Sequence, residues 1–228
     1  MPTSGSLVIV PAFGEVTHAN DQVVATLAIE EQDKDKVAAA SRVNQKMKQG
    51  LALVKAADPQ AMLKTQGYYT YPVYPETRPQ QDGMPAKPRV ASSWRVGQTL
   101  QVTTTNLAAL PKTVAAAQRV LTLNALEFGL SPATTALLDD QRIKATYVNL
   151  HVRMTSSANA MGRKISDAVL ETVDFEGSGA YVQQEGASAA PMMRSAMMKS
   201  DAAQVEEPSF EPGETTLQMR VVGKVKFR

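Results

Sequence analysis

Between Val23 and Ile29 the chain places Val23, Ala25, Leu27 and Ile29 on one side and Val24, Thr26 and Ala28 on the other. That period of two predicts a strand with one well-buried face. Ahead of it, Ser6 to Phe13 reads as a short strand and Gly14 to Asn20 as a turn. The period then lengthens. Val37, Ala40, Asn44, Met47, Leu51 and Val54 step by three and four, the stripe of an amphipathic helix. Asp33 is the expected N-cap, and Asp58-Pro59 the stop. A helix of about 23 residues there would be roughly 35 Å long.

Residues of β type return at Leu63-Lys-Thr-Gln-Gly-Tyr-Tyr-Thr-Tyr-Pro-Val-Tyr74, which holds four of the six tyrosines. A proline-rich stretch runs to Pro88, and a second β-type run covers Ser92 to Thr105. Together they predict a hairpin with a long, stiff tip. Leu107, Leu110, Val114, Ala117 and Leu121 mark a shorter helix capped by Asn106, and Val120 to Leu130 is strand-like. Ser131-Pro132 opens a further helix, with serine as N-cap and proline at the first helical position.

Two rules conflict in the next segment. Ala145 to Met154 is rich in β-branched and aromatic residues, yet Ile143, Tyr147, Leu150, Met154, Ala158 and Met161 keep helical spacing. Over such a length period outranks propensity, which predicts one helix from Pro132 to Met161 closed by Gly162. Lys164 to Phe175 reads as a strand, and residues 177–212 as a Met- and Ala-rich loop with no sustained period. Thr215 to Phe227 is a final strand with Leu217, Met219 and Val221 on one face and Val222, Lys224 and Lys226 on the other.

Interleaved strands and helices with hairpin signals define an α+β protein, with antiparallel or mixed sheets and helices packed on one face of each. The expected division is into two lobes. Residues 1–105 with 213–228 form the first, and 106–176 form an inserted second lobe. The last strand is too apolar to stand alone and must join a sheet.

Composition narrows the functions. The chain has 228 residues, 43% of them hydrophobic, enough for a sizeable core. A net charge of +2, with no cluster of Lys and Arg interleaved with aromatics, argues against nucleic acid as a partner. No apolar run reaches the ~18 residues of a transmembrane helix. With no cysteine, disulfides and thiolate chemistry are excluded, which suits an oxidising compartment.

Catalytic motifs do not emerge. His18 and His151 are the only histidines, with no HExxH pattern, so no metal site is expected. Asp33-x-Asp35 lacks the glycine of a calcium loop and fits a helix N-terminus better. Asp139 and Asp140 are neighbours pointing about 100° apart on a helix, a solvated arrangement. Gly177-Ser-Gly179 lacks the third glycine of a dinucleotide loop, and no Gly-x-Ser-x-Gly elbow occurs. No catalytic, cofactor-binding or metal-binding residue is therefore assigned, and the protein reads as no enzyme.

Two segments suit contact with a partner instead. Tyr68, Tyr69, Tyr71 and Tyr74 offer apolar area with a hydroxyl. Tyr69, Tyr71 and Val73 are expected on one face, Tyr68, Thr70, Pro72 and Tyr74 on the other. Met192, Met193, Met197 and Met198 are adaptable gap-fillers that could also ligate copper or take up oxidant.

Several spaced features resemble the SIMPL-domain family, long filed as a domain of unknown function. Val10-Pro-Ala-Phe-Gly14 is similar to the family's Gly-x-Gly opening, with Ala12 in place of the first glycine. Asn44 lies within the first long helix, and Leu63-Lys-Thr65 leads into the tyrosine strand. A helix ends at Gly162 before a Lys-Ile strand. Pro191 to Ala203 then leads to Glu211-Pro-Gly-Glu214 and a Val-rich closing strand. The third helix departs from the family in being β-branched and polar.

The resemblance covers nearly the whole chain. It implies an exported protein of the periplasm or cell envelope, similar to immunogenic and outer-membrane-associated proteins, with a signal peptide ahead of this sequence. It also implies a homo-oligomer, ring- or channel-like in some members, with a link to oxidative-stress tolerance in others, and it carries over no catalytic residue. The expected function is that of a non-enzymatic, self-associating envelope protein. The alternative is a small-molecule or metal-binding stress protein using the methionine loop or the tyrosine strand.

Overall fold

The computed structural model describes residues 5–75, 90–175 and 207–227. Among the described residues, seven strands and three helices follow one another as β1 (Ser6–Ala19), β2 (Gln22–Asp33), α1 (Lys36–Ala57), β3 (Met62–Val73), β4 (Ser93–Thr104), α2 (Leu110–Ala117), β5 (Thr122–Gly129), α3 (Pro132–Ala160), β6 (Ala168–Phe175) and β7 (Glu214–Phe227). Short 3-10 turns precede α2 and β6, at Leu107–Ala109 and Ile165–Asp167. All pairing is antiparallel, in two sheets of order β1-β7-β6 and β3-β4-β2-β5. The fold class is α+β, in the order that the sequence pattern implies.

The division into lobes differs from the expected one. Among the described residues, one compact unit contains 5–19, 130–175 and 214–227, and the other 20–75, 90–129 and 207–213. The final strand does join a sheet, but its partners are β1 and β6. β1 therefore belongs with α3, β6 and β7, while β5 and α2 belong with β2, β3, β4 and α1. The hydrophobic pattern specifies which face of a strand is buried and leaves open which strand lies beside it.

In the first unit, α3 packs across β1 and β7. Val10 and Ala12 of β1, Val221, Val225 and Phe227 of β7, and Leu150, Met154 and Ala158 of α3 make its core. The disputed segment Ala145 to Met154 is helical. Its helical period holds because Leu150 and Met154 must both face the sheet. Ser131 caps the start, its hydroxyl accepting from the Thr134 amide at 3.2 Å, and Gly162 takes φ +67° just past the end. Gly14 is not in a turn: β1 runs through it for 14 residues. His18 accordingly lies near the end of a strand, exposed, with its Nδ1 2.8 Å from the Ala19 carbonyl oxygen.

In the second unit, α1 lies on the sheet face formed by Ala25, Leu27 and Ile29 of β2 and by Val96, Leu100 and Val102 of β4. Its buried stripe is Ala39, Val43, Met47, Gly50 and Val54. Val37 and Asn44 are exposed instead, so the observed stripe shares only Met47 and Val54 with the expected one. Its N-cap is Asp35, whose carboxylate accepts from the Val37 amide at 2.8 Å. Asp33 stands two residues earlier and accepts from the Asp35 amide at 2.9 Å, holding the cap in place. At the other end Asp58 is 1% exposed and accepts from the Thr104 hydroxyl at 2.5 Å. The hairpin tip, residues 76–89, lies outside the described residues.

Candidate partner-binding face on the four-stranded sheet

The alternation of β2 that buries Leu27 and Ile29 against α1 turns Ala28, Glu30 and Gln32 to the opposite face. Register brings Arg95, Gly97 and Thr99 of β4 to that face, and Tyr69 and Tyr71 of β3 beside them. Among the described residues of this unit, α1 covers only the other face.

Register on β3 depends on a bulge. Gln66 pairs with Thr99 and Tyr69 with Gly97, leaving Gly67 and Tyr68 as the extra length, with Gly67 at φ +64°. A glycine in the left-handed region is what such a bulge requires. The bulge resets the alternation, so Lys64 and Gln66 before it share the open face with Tyr69 and Tyr71 after it.

Gly97 then decides how far Tyr69 reaches. A Cβ placed on Gly97 would overlap the phenol ring, lying 2.9 Å from its Cε1. The ring therefore crosses the backbone of β4, and its hydroxyl donates to Glu30 Oε2 on β2 at 2.6 Å. The Tyr71 ring stacks on that of Tyr69, with centroids 5.7 Å apart and planes 19° from parallel. Arg95 closes the cluster. Its guanidinium lies 5.8 Å from the Tyr71 ring centroid and donates to Tyr71 Oη at 3.2 Å and Gln32 Oε1 at 3.1 Å. Its Nε is 3.3 Å from Glu30 Oε1, an ion pair although the angle is poor for a hydrogen bond.

The electrostatics fix Tyr69 as a neutral phenol. The hydrogen bond to Glu30, then burial, push Tyr69 up to about 12. A deprotonated phenol beside that carboxylate would set two like charges together. Such a group is a poor base or nucleophile, since catalysis favours a pKa near the working pH. The Tyr71 hydroxyl, then Glu30, likewise hold Arg95 in its charged form. The arrangement is exposed: Tyr69 is 39% and Tyr71 41% accessible.

A second charged cluster sits on the opposite face, where Glu31 receives Lys46 at 2.6 Å and Arg42 at 3.2 Å, and Asp33 receives Arg42 at 2.7 Å. Burial pushes Glu31 up, but the bonds and charges of Lys46 and Arg42 outweigh it and leave the carboxyl below its usual range. These contacts dock α1 on the sheet.

Of the residues expected at a partner contact, the structure brings Tyr69 and Tyr71 together. Tyr68 lies in the bulge and Tyr74 beyond the strand, both half exposed and outside the stacked pair. Met192, Met193, Met197 and Met198 lie outside the described residues. Glu30, Gln32, Arg95 and Gly97 were not anticipated. Glu30 and Gln32 stand at the end of a β2 alternation whose other side is apolar, and that signal was present. Among the described residues there is no group of three or more His, Asp or Glu placed to hold a metal ion, and no helix long and apolar enough to cross a membrane.

No curated protein matches the chain. A family model does, SIMPL, a protein of unknown function (DUF541), over residues 8–225. That match runs from β1 into β7 and takes in both sheets, so the chain belongs to the SIMPL family.

Proposed function

We propose that this protein is a non-enzymatic binding protein that associates with further copies of itself through the open face of its four-stranded sheet. The observation that supports this reading is the stacked Tyr69–Tyr71 pair, held by Glu30 and Arg95 on a face that α1 leaves uncovered. Tyrosine and arginine are the residues that dominate contact energy at interfaces. Held in place beforehand, they lose little conformational entropy on docking. The patch carries both signs of charge, so two copies related by a twofold axis could set Arg95 of each near Glu30 of the other.

The place of action we propose is outside the cytoplasm, in the periplasm or cell envelope. The absence of cysteine from all 228 residues is consistent with that setting. A contribution to oxidative-stress tolerance belongs to the same proposal, with methionine side chains as the groups that would take up oxidant.

Sedimentation or light scattering tests assembly. The wild-type chain is expected to sediment as an oligomer, and Tyr69→Ala with Tyr71→Ala as a smaller species with unchanged far-UV signal. A wild-type monomer at tens of micromolar, or an oligomer indifferent to both substitutions, would sink the reading.

A further inference from the structure

The first unit contains a cavity of about 200 Å3 between α3 and the entry to β6. Among the described residues its walls are Leu150, Met154, Ile165, Ala168 and Leu170, with Tyr147 and His151 as the polar side chains. Leu150 and Met154 are buried core residues, whereas Tyr147 is 49% exposed, so the pocket runs from an apolar interior towards solvent.

Two of its walls also pack over Gly223 of β7. Leu150 and Leu170 both lean over this glycine, and a Cβ there would meet Leu150 Cδ1 at 2.9 Å and Leu170 Cδ1 at 3.3 Å. Ala168, at the start of β6, adds a small side chain to the lining. The chain enters β6 through the turn Ile165–Asp167, which sets Ile165 as the remaining wall.

Tyr147 and His151 are one helical turn apart on α3, so their side chains share a face. Neither side chain makes a hydrogen bond or ion pair among the described residues. Two directional polar groups thus stand at the mouth of a half-open pocket whose deeper wall is apolar, an arrangement that suits a small molecule with an apolar body and one polar group.

We infer that this cavity binds an uncharged, ring-sized molecule carrying one hydroxyl, the chemistry of a simple phenol. The volume sets the size, since an apolar cavity of about 150 Å3 accepts benzene. The thioether of Met154 favours an aromatic body, because sulfur packs well against ring edges. Tyr147 and His151 between them offer a donor and an acceptor for one hydroxyl. Among the described residues no Lys or Arg lines the cavity, so an anionic head would lose hydration without gaining a fixed cation there. This inference uses none of the residues of the open sheet face and stands or falls apart from it.

The test is a titration of the full chain with p-cresol, followed through methyl resonances of Met154, Ile165 and Leu170, with benzoate as the charged comparison. p-Cresol should produce saturable shifts confined to those methyls, and benzoate should bind at least about tenfold more weakly. Ala168→Phe should abolish the shifts by filling the space. Tyr147→Phe, at an exposed position where folding is not at risk, should weaken p-cresol about fivefold, the effect of one neutral hydrogen bond. Absence of saturation at millimolar p-cresol would overturn the site, as would shifts that survive Ala168→Phe in a folded protein. Equal or tighter binding of benzoate, or no effect of Tyr147→Phe, would overturn the assignment of an uncharged hydroxylated ligand.

Discussion

Gly14 of β1 and Thr146 of α3 are in direct contact, so closely that no side chain fits between them. A Cβ on Gly14 would overlap the backbone nitrogen of Thr146 and lie 2.5 Å from its Oγ1 and 2.7 Å from its Cα. Thr146 is fully buried there, and its hydroxyl donates back along the helix to the Arg142 carbonyl at 2.7 Å. Asn149 adds to the crossing by accepting from the Phe13 amide at 3.3 Å. The long helix is thus set on its sheet at one glycine.

Gly14→Ala should therefore lower the stability of the first unit by about 1–3 kcal/mol, the usual cost of forcing volume into a packed site. Chemical denaturation measures it. Unchanged stability would mean that helix and strand do not approach as described.

Tyr69 should titrate above the usual tyrosine range. Absorbance near 295 nm followed to high pH should show one phenol ionising at about 12. Glu30→Gln should bring it back towards 10. The folded pKa is raised above the unfolded value, so the stabilisation is complete below about pH 10 and is lost as pH rises through 12. A normal titration of all the tyrosines would contradict the bond to Glu30.

Gly97→Val should displace the Tyr69 ring without touching α1, whose contacts lie on the other face. Two effects should appear together: the high-pH phenol disappears and the oligomeric mass falls. Loss of the first without the second would separate the tyrosine cluster from assembly.

Acid should weaken the hold of α1 on the sheet. The Glu31 carboxyl lies below its usual range in the fold. Its contribution is therefore present above the ordinary pKa near 4.5 and lost as pH falls through the lower folded value. Glu31→Gln should flatten the stability profile over that acid window, measured as melting temperature against pH. A profile as steep as that of the wild type would show that the ion pairs with Lys46 and Arg42 add nothing.

Thr104→Val removes one hydroxyl and keeps the shape. The Asp58 carboxylate, 1% exposed, would then lose its 2.5 Å donor while still accepting from the Gln60 amide at 3.2 Å. A cost of about 1–3 kcal/mol is expected on denaturation. A neutral substitution would place water at Asp58 instead.

The local elements were legible because each carries its own signal. A period of two marks β2 and β7, and helical spacing marks α3 even where Val148 and Val152 favour strands. Ser131 and Gly162 delimit α3 by capping chemistry that depends only on neighbours. The α1 cap was misplaced by two residues because Asp33 and Asp35 are equally able caps. Only the backbone path distinguishes the one that reaches the Val37 amide. Gly14 was misread as a turn residue for a related reason. Its lack of a side chain serves a helix from more than 130 positions away, which no local window contains.

The sequence alone determined the α+β class, the order of strands and helices, the well-buried face of β2, and the family resemblance that the match over residues 8–225 bears out. Periodicity and capping are short-range physics, and they can be read one segment at a time. Tertiary structure decided which strands are neighbours, and so which residues meet. β7 lies between β1 and β6, and β5 lies beside β2, against the expected division of the chain. The cluster of Glu30, Arg95, Tyr69 and Tyr71 exists because β4 lies between β2 and β3, a bulge at Gly67 rephases β3, and Gly97 leaves room for a ring. Pairing between distant strands depends on register and on competing edges of similar hydrophobicity, and a single chain of residues does not rank those alternatives.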